Sequence, residues 1–372
     1  MSAAAFDLAP ALTIAALGAA LALGPLGWVW VRHRGGGRLA ALAALTLFLT
    51  LDLVLFGAFT RLTDSGLGCP DWPGCYGQSN PVAARGEISA AQQAMPTGPV
   101  THGKAWVEML HRYLATAVGA LITVLLVATA WQARRGRVPR AALGWAVASF
   151  VGVCVQGAFG AFTVTLKLYP AIVTLHLLGG LALLALLVVQ HQALLPTAPV
   201  PTPIELPPGV RRTARFAVVL VVLQIALGGW VSTNYAVLAC SEFPTCHDGQ
   251  WWPAMDFEHG FTLLRELGLR GDGAVLSFQS LTAIHMVHRL AALVVLAAIV
   301  VLAWWLRGCE SSRLRRFGLG FGVAALWQFA SGLSNVVLGW PIVAALAHTG
   351  GAAVLVLLFA SLLGADGHRA AS

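Results

Sequence analysis

Three ionisable residues stand close together at the start of a long apolar stretch. Glu108, His111 and Arg112 belong to the run Glu-Met-Leu-His-Arg, and apolar residues follow to about residue 131. On a helix, residues three apart share one face, so Glu108 and His111 point the same way. A carboxyl group can relay protons, an imidazole can bind a metal, and a guanidinium can bind a carboxylate. Ionisable groups inside a membrane span are costly, and this makes all three candidates for function.

The second half of the sequence contains a near copy of this motif. It reads His-Met-Val-His-Arg and ends in His288 and Arg289. His285 stands where Glu108 stands in the first half. The two halves therefore differ in one ionisable side chain at an otherwise matching place.

The repeat extends beyond the motif. Residues 57–75 align with residues 228–246 at a constant offset of 171, and each segment ends in a pair of cysteines. His176 aligns with His348 at an offset of 172. An internal repeat of this kind predicts two similar helical bundles that meet at a pseudo-symmetric interface.

Four histidines occupy matching places in this repeat. His111 and His176 in the first half correspond to His288 and His348 in the second. Each half thus places two histidines at similar depths on two different helices, which is typical of two axial ligands of one heme iron in a four-helix bundle. The alternative for each is a buried histidine bonded to a carbonyl, but four in duplicated register favour ligation. We predict two heme sites.

Composition indicates a membrane protein. Of 372 residues, 58% are hydrophobic and 10% are charged, against about 25% charged in soluble domains. Nine apolar runs are long enough to cross a bilayer as helices, which takes about 20 residues each. They lie near 9–31, 39–59, 106–131, 141–164, 171–194, 214–235, 280–306, 317–338 and 342–364. The predicted fold is an all-α integral membrane protein with two pseudo-symmetric four-helix transmembrane bundles and an extra N-terminal span.

The predicted domains follow from these runs. They are an extra N-terminal anchor over 1–38, a first bundle over 39–194, a Pro-rich cytoplasmic linker over 195–213, and a second bundle with a short tail over 214–372. A cleaved leader is the alternative for the first run, although its basic residues follow it rather than precede it. Within the second long loop, residues 261–269 have the pattern of a short interfacial amphipathic helix or a plain loop helix.

The net charge of +8 does not indicate a nucleic-acid-binding protein, because the arginines cluster in alternate short loops. The clusters are Arg32, Arg34 and Arg38; Arg134, Arg135, Arg137 and Arg140; Arg211, Arg212 and Arg215; and Arg307, Arg313, Arg315 and Arg316. The positive-inside rule makes these loops cytoplasmic. The long loops 60–105 and 236–279 are then outside, with the hemes toward that face, and the C-terminus is inside.

Four of the six cysteines form two pairs in the outer loops, Cys69 with Cys75 and Cys240 with Cys246. Disulfides persist on that side of a membrane. Each pair has two interpretations, a structural bond that pins the loop or a thiol pair that exchanges electrons. Cys154 and Cys309 are interpreted as unpaired thiols.

The remaining polar candidates surround the predicted hemes. Arg112 and Arg289 each follow a predicted ligand, and with Arg61 they are candidates to bind heme propionates or, alternatively, lipid phosphate. Glu108 is the candidate proton donor or relay, and the alternative is a salt bridge to Arg112 or to a cation of the outer loop. His285 is a candidate cavity residue near the second heme.

Together these motifs resemble the heme A synthase family over about residues 39–364. The resemblance rests on Thr60-Arg-Leu-Thr63, on Pro70-Asp-Trp-Pro73, on Glu108-Met-Leu-His111-Arg112, on the other three histidines and on the outer cysteine pairs. It implies a membrane oxidoreductase that uses O₂ and external electrons to oxidise one methyl group of heme O to a formyl group, giving heme A for terminal oxidases. The extra N-terminal span departs from the family pattern.

The resemblance also implies roles for the two halves. The first half, with His111, His176 and catalytic Glu108, would hold the substrate heme. The second half, with His288 and His348, would hold a permanent heme b that relays electrons. Implied partners are heme O, heme A, a heme O synthase, oxidase assembly factors and membrane lipid, in a bacterial cytoplasmic membrane. The electron donor is not implied, and no nucleic-acid partner is expected.

Other classes of protein fit part of this pattern. A diheme b-type cytochrome that passes electrons from quinol shares the four histidines, but it needs no carboxyl group at position 108. A disulfide-generating quinone reductase explains the cysteine pairs but not the histidines. A heme carrier binds heme and returns it unaltered.

Overall fold

The protein is described by a computed structural model over residues 8–33, 37–195 and 205–367. Eleven α-helices account for most of these residues. They are α1 (Ala9–Arg32), α2 (Arg38–Leu62), α3 (Arg85–Ala94), α4 (His102–Arg134), α5 (Arg140–Thr165), α6 (Pro170–Leu194), α7 (Pro208–Thr233), α8 (Phe257–Gly260), α9 (Phe278–Arg307), α10 (Ser312–Val337) and α11 (Ile342–Gly367). Arg34 and residues 196–204 of the predicted linker lie outside the described residues.

Nine of the helices in the described ranges are long and apolar enough to cross a bilayer. They are all except the short helices α3 and α8, and each coincides within a few residues with one of the predicted apolar runs. The protein is therefore a multi-pass helical membrane protein, as predicted. The bounds differ by a few residues because caps decide them: α4 begins at His102, where the Thr101 hydroxyl accepts the Lys104 amide at 3.3 Å.

The described chain packs as two compact units, which divide after Leu168. In the first unit α4 is the central helix and packs against α1, α2 and α5. In the second unit α9 packs against α7 and α10, while α11 packs against α10 and α6. Helix α6 thus belongs to the second compact unit, whereas the repeat read from the sequence ends the first bundle at 194. The predicted repeat boundaries stay a prediction.

Each unit contains one loop segment closed by a disulfide, and we name these segments the first disulfide loop (69–79) and the second disulfide loop (240–250). Cys69 is bonded to Cys75, and Cys240 to Cys246. Each loop contains a cis peptide bond before a proline, Trp72–Pro73 in the first loop and Phe243–Pro244 in the second, at the repeat offset of 171. The two loops thus match in backbone conformation at this position as well as in sequence.

In each disulfide loop, one acidic side chain accepts a hydrogen bond from a backbone amide of the same loop. Asp71 accepts the Gly77 amide at 2.7 Å, and Glu242 accepts the Gly249 amide at 3.0 Å. Gly77 and Gly249 have φ of 70° and 69°, a conformation that glycine adopts without a steric penalty. The carboxylates satisfy backbone donors that the tight turn would leave without partners.

Residues 261–269 are not a helix, so that prediction was wrong. The helical turn in this loop is α8, Phe257–Gly260, and residues 261–269 form turns. Arg265 is turned inward, where it is 3% exposed and donates to the side-chain oxygen Oδ1 of Asn234 at 2.5 Å. Gly268 has a φ of 76°, which ends any helical path. A specific buried polar contact overrides the amphipathic pattern here.

Candidate heme sites and the residues around them

His288 on α9 and His348 on α11 face each other within the second unit. Their ring centroids are 6.5 Å apart and the rings are nearly perpendicular, at 82°. Two metal–imidazole bonds of about 2 Å, with about 1 Å from each ring nitrogen to its centroid, give a separation near 6 Å. The observed separation therefore fits one metal atom held between the two rings as axial ligands.

Glycines make room for both rings. A Cβ atom on Gly228 would lie 3.1 Å from the ring of His288, and a Cβ on Gly332 would lie 3.1 Å from the ring of His348. Any larger residue at either position would push against the imidazole. Spacing alone does not single out these two glycines, because their role depends on how α7 and α10 approach the histidines.

Polar side chains contact the Nδ1 atom of each imidazole. The Gln224 amide nitrogen lies 3.0 Å from Nδ1 of His288, and the Ser331 hydroxyl lies 3.0 Å from Nδ1 of His348. The side-chain nitrogen of Gln328, in the amide orientation that satisfies its hydrogen bonds, also lies 3.0 Å from Nδ1 of His348. Such partners orient both rings. An amide nitrogen donates, so Nδ1 of His288 is the acceptor in its contact with Gln224. Gln224 and Ser331 were not identified from the sequence, because nothing in their spacing distinguishes them from other polar residues in the spans.

In the first unit His111 lies on α4 beside α2. Its ring stacks on Phe56, with centroids 6.1 Å apart and planes at 18°, and a Cβ on Gly57 would lie 3.0 Å from it. Gly57 thus stands to His111 as Gly228 stands to His288. The local setting of the first histidine is repeated in the second half.

His176 lies on α6, in the second compact unit. Its Nδ1 atom is buried and has no hydrogen-bond partner among the described residues. A buried polar atom without a partner is costly in a finished protein interior. The predicted pairing of His176 with His111 stays a prediction.

Glu108 is buried, with 4% of its surface exposed, and it is bound on both oxygens. Oε2 accepts the Cys69 amide at 2.7 Å, and Oε1 accepts Nη2 of Arg112 at 2.6 Å. The guanidinium of Arg112 also donates to the carbonyl oxygens of Pro73, at 3.1 Å, and Gly74. Helix α4 therefore holds the first disulfide loop through this ion pair and the bonds of Arg112, and we call this set of contacts the grip of α4 on the loop. The ion pair is the salt bridge that was the alternative to a catalytic role of Glu108.

In the second unit, α9 holds the second disulfide loop in the same way, but with His285 in the place of Glu108. Arg289 donates from Nε to Nε2 of His285 at 3.1 Å, so that nitrogen is an acceptor. Nδ1 then carries the proton and donates to the Ala236 carbonyl at 3.0 Å. Nδ1 also lies 3.4 Å from the Cys240 amide, the counterpart of the Cys69 amide. His285 thus occupies the place of Glu108 as a neutral imidazole.

Arg289 holds the second disulfide loop by its carbonyl groups. Its two terminal nitrogens donate to the backbone oxygens of Cys240 at 3.2 Å, Glu242 at 2.8 Å and Thr245 at 3.0 Å. Thr245 corresponds to Gly74, which accepts from Arg112 in the first loop. Both arginines that were predicted to bind propionates therefore have protein partners already, and the propionate role stays a prediction.

Other predicted polar residues lie at the edges of the first unit. Arg61 pairs with Asp64 at 3.2 Å near the end of α2. The thiols of Cys154 and Cys309 are free.

Comparison with known proteins gives a consistent result. Residues 40–360 match the family COX15-CtaA, described as cytochrome oxidase assembly protein. A protein of Shewanella oneidensis named heme A synthase is 35% identical over 87% of this chain and 96% of its own length. Proteins of the same name from Mesorhizobium japonicum and Granulibacter bethesdensis are 30% and 28% identical, over 85% and 83% of this chain and 86% and 82% of their own lengths. The chain therefore belongs to the COX15-CtaA family of cytochrome oxidase assembly proteins.

Proposed function

We propose that this protein oxidises a methyl group of heme O to a formyl group and so produces heme A. The observation that carries the proposal is the match, over nearly the whole length of the Shewanella protein, to relatives named heme A synthase. No comparison supports the alternative of a diheme cytochrome that leaves heme unaltered. The geometry of the second unit adds a site suited to a permanent heme.

The second unit is proposed to hold heme b between His288 and His348. The 6.5 Å separation of the rings and the glycines beside them support this assignment. A heme b bound there supplies one-electron transfer. The residues of the chain orient the two imidazoles through Gln224 and Ser331, and the apolar helices keep water away from the rings.

The first half is proposed to bind heme O as substrate through His111 and His176. The basis is the repeat, since these histidines correspond to His288 and His348. The buried Nδ1 atom of His176 supports a further bond at that ring. Arg61, Arg112 and Arg289 remain candidates for contacts with propionates, because guanidinium groups suit carboxylates.

The proposed reaction is two successive hydroxylations of one methyl carbon. Each consumes one O₂, two electrons from an external donor and two protons, and each releases one water. The product of the second hydroxylation is a geminal diol, which loses water to give the formyl group. The protein must therefore deliver protons twice at the reacting edge of the substrate.

Glu108 is the residue proposed to manage those protons. It lies one helical turn from His111 and is the only ionisable group of the motif that the second unit replaces by a neutral one. Arg112 and the Cys69 amide hold its carboxyl group in a fixed position. General acid–base groups of this kind contribute roughly 10²- to 10⁴-fold to a rate.

The orientation in the membrane is also proposed. The positive-inside rule places the arginine-rich short loops in the cytoplasm of a bacterial cell and both disulfide loops outside. A heme O synthase and oxidase assembly factors are the expected partners, as the source of the substrate and the users of the product.

The experiment is extraction and mass analysis of hemes from membranes that contain this protein and a supply of heme O, in a host that lacks heme A. The expected result is the formyl product or its alcohol precursor. Glu108→Gln is expected to abolish the formyl product while heme content stays near the wild-type level. Unmodified hemes b and o alone, at full occupancy with oxygen and a working donor, would contradict the proposal.

A further inference from the structure

We infer that helix α1 is a positioning element of the first unit, which holds the first disulfide loop against α4 and thereby fixes Glu108 and Arg112. The inference rests on the proposed function for its effect on catalysis. Helix α1 precedes residues 40–360, which match the family, so family membership assigns no role to it.

Helix α1 packs closely on α4 at a glycine. A Cβ atom on Gly18 would lie 2.5 Å from Cγ2 of Thr116, 2.6 Å from its Cβ and 3.0 Å from the backbone nitrogen of Ala117. Real Cβ atoms do not approach this closely, so only glycine permits this separation of the helices. Small residues at a crossing point bring membrane helices together in this way.

The outer end of α1 also covers the first disulfide loop. Ile14 is buried in one cluster with Cys69, Cys75, Met109 and Tyr113. The cluster therefore joins α1, the disulfide loop and α4, and it also includes Ala84 and Ile88 at the start of α3. A Cβ on Gly74 would lie 3.5 Å from Cβ of Pro10, so the loop passes close to the start of α1 at this point.

The contacts of α1 coincide with the bonds that tie the loop to α4. Those bonds run from the Cys69 amide to Glu108, from Arg112 to the Gly74 carbonyl, and from the Tyr113 hydroxyl to the Ser79 carbonyl at 2.7 Å. Cys69 and Tyr113 belong to the cluster that buries Ile14, and Gly74 lies beside Pro10. Moving α1 outward would therefore loosen the layer that holds the Glu108 carboxyl group.

The second unit shows what the same layer looks like without such a helix. Positions 113, 116 and 117 on α4 correspond to Leu290, Leu293 and Val294 on α9, which are 43%, 60% and 57% exposed. The second disulfide loop packs instead on Met286 and Met255, and Met255 comes from its own outer loop. The second loop also contacts α10, since the rings of Phe243 and Phe329 lie 6.3 Å apart. In the described residues the first unit differs in that a helix outside the repeat, α1, packs on its loop.

The test compares two substitutions on α1 in the full-length protein. Gly18→Leu is expected to lower the formyl product about tenfold per bound heme b, since small displacements of positioned groups are costly to a rate. Gly24→Leu is the matched control, because a Cβ at Gly24 meets no atom within 4 Å. The second readout is thiol alkylation under mild reductant: Cys69 and Cys75 should label faster in Gly18→Leu, while Cys240 and Cys246 label at the wild-type rate.

A rescue experiment separates positioning from general damage. Gly18→Ala alone is expected to share the defect, and Gly18→Ala combined with Thr116→Gly is expected to restore product and protection, because the side chain that clashes is removed. If Gly18→Leu does not accumulate, Ile14→Ala serves instead, with the same two changes expected. Wild-type product together with wild-type alkylation in the clashing variants would overturn the inference.

The two proposals fail in distinguishable ways. If the wild-type protein makes no formyl product, the proposed function fails, while selective labelling of Cys69 and Cys75 in Gly18→Leu still supports the role of α1. If the wild-type protein makes the product and the α1 variants match it in both readouts, only the role of α1 fails.

Discussion

The grips of α4 and α9 on the two disulfide loops are built alike, but they differ in the charge they bury. In the first unit Glu108 and Arg112 form an ion pair that also binds the Cys69 amide. In the second unit His285 and Arg289 make the corresponding contacts without a carboxylate. The architecture thus conserves the position of the group and changes its chemistry. A neutral imidazole suits a permanent heme environment, and a carboxyl group suits a reaction that consumes protons.

The two loops also differ in what supports them. The first loop packs against α1, a helix outside the repeat. The second loop packs on Met286 of α9 and on Met255, and its Phe243 ring contacts α10. A buried ion pair gains little stability by itself, since desolvation offsets most of the attraction. It does fix a geometry, provided that the surrounding layer does not move. The extra helix is found beside the grip that carries the ion pair.

The largest expected difference between the two grips is in stability. Arg112→Ala leaves Glu108 buried without its cation, which costs about 3–5 kcal/mol of unfolding free energy. Arg289→Ala removes hydrogen bonds to neutral groups, a loss of about 1–3 kcal/mol. Thermal unfolding of the purified variants in one detergent measures both. Adding Glu108→Gln to Arg112→Ala should recover part of the loss, and equal destabilisation by the two arginine substitutions would remove the distinction.

The next effect concerns the reaction. Glu108→His converts the first grip into a copy of the second, and we expect at least about a 100-fold loss of formyl product, equivalent to roughly 2.7 kcal/mol in the barrier. Heme content should stay near the wild-type level, because the histidines are untouched. Mass analysis of extracted hemes provides the measurement. A Glu108→His protein with normal product would show that the carboxyl group is structural only.

A smaller effect is expected at a contact that exists in one unit alone. The Tyr113 hydroxyl donates to the Ser79 carbonyl, whereas Leu290 stands at the corresponding place in the second unit. Tyr113→Phe should cost about 1 kcal/mol of stability, the usual net value of one such hydrogen bond. Chemical denaturation measures the loss, with Leu290→Met as a control of similar volume. No change for Tyr113→Phe would mean that the loop is held by the ion pair without this bond.

The smallest effect is a pH dependence of the second disulfide loop. The hydrogen bond from the Thr245 hydroxyl, with that from the Gly249 amide, holds the pKa of Glu242 below its usual value. Its contribution to loop stability is therefore complete above the unfolded pKa and is lost as the pH falls through the lowered folded value. Hydrogen exchange of the Gly249 amide should accelerate in that range relative to a reference amide. Glu242→Gln should remove the dependence, and an unchanged profile would rule out this contact as its source.

Much of the site follows from local sequence. Helical spacing places Glu108 and His111 on one face, and the constant offset of the repeat pairs Cys69 with Cys240 and His176 with His348. These inferences depend only on helical spacing and on the repeat offset, which are the same in the sequence and in the folded chain. The neighbours of each side chain do not follow in this way, because they come from segments far apart in the chain. From the sequence, Arg112 was a candidate to bind a heme propionate or a lipid phosphate. In the structure it contacts the Glu108 carboxylate and the backbone carbonyl groups of the disulfide loop.

By itself the sequence determined the membrane class, the duplicated plan, the four histidines and the one exchange of glutamate for histidine. Length and apolar content are enough for the first of these, since a bilayer admits few alternatives to helices. Only the tertiary structure decided that α1 packs on α4, that Gly228 and Gly332 make room for the rings, and that Glu108 holds the Cys69 amide. These facts depend on close approach between distant segments, where tenths of an ångström separate a fit from a clash.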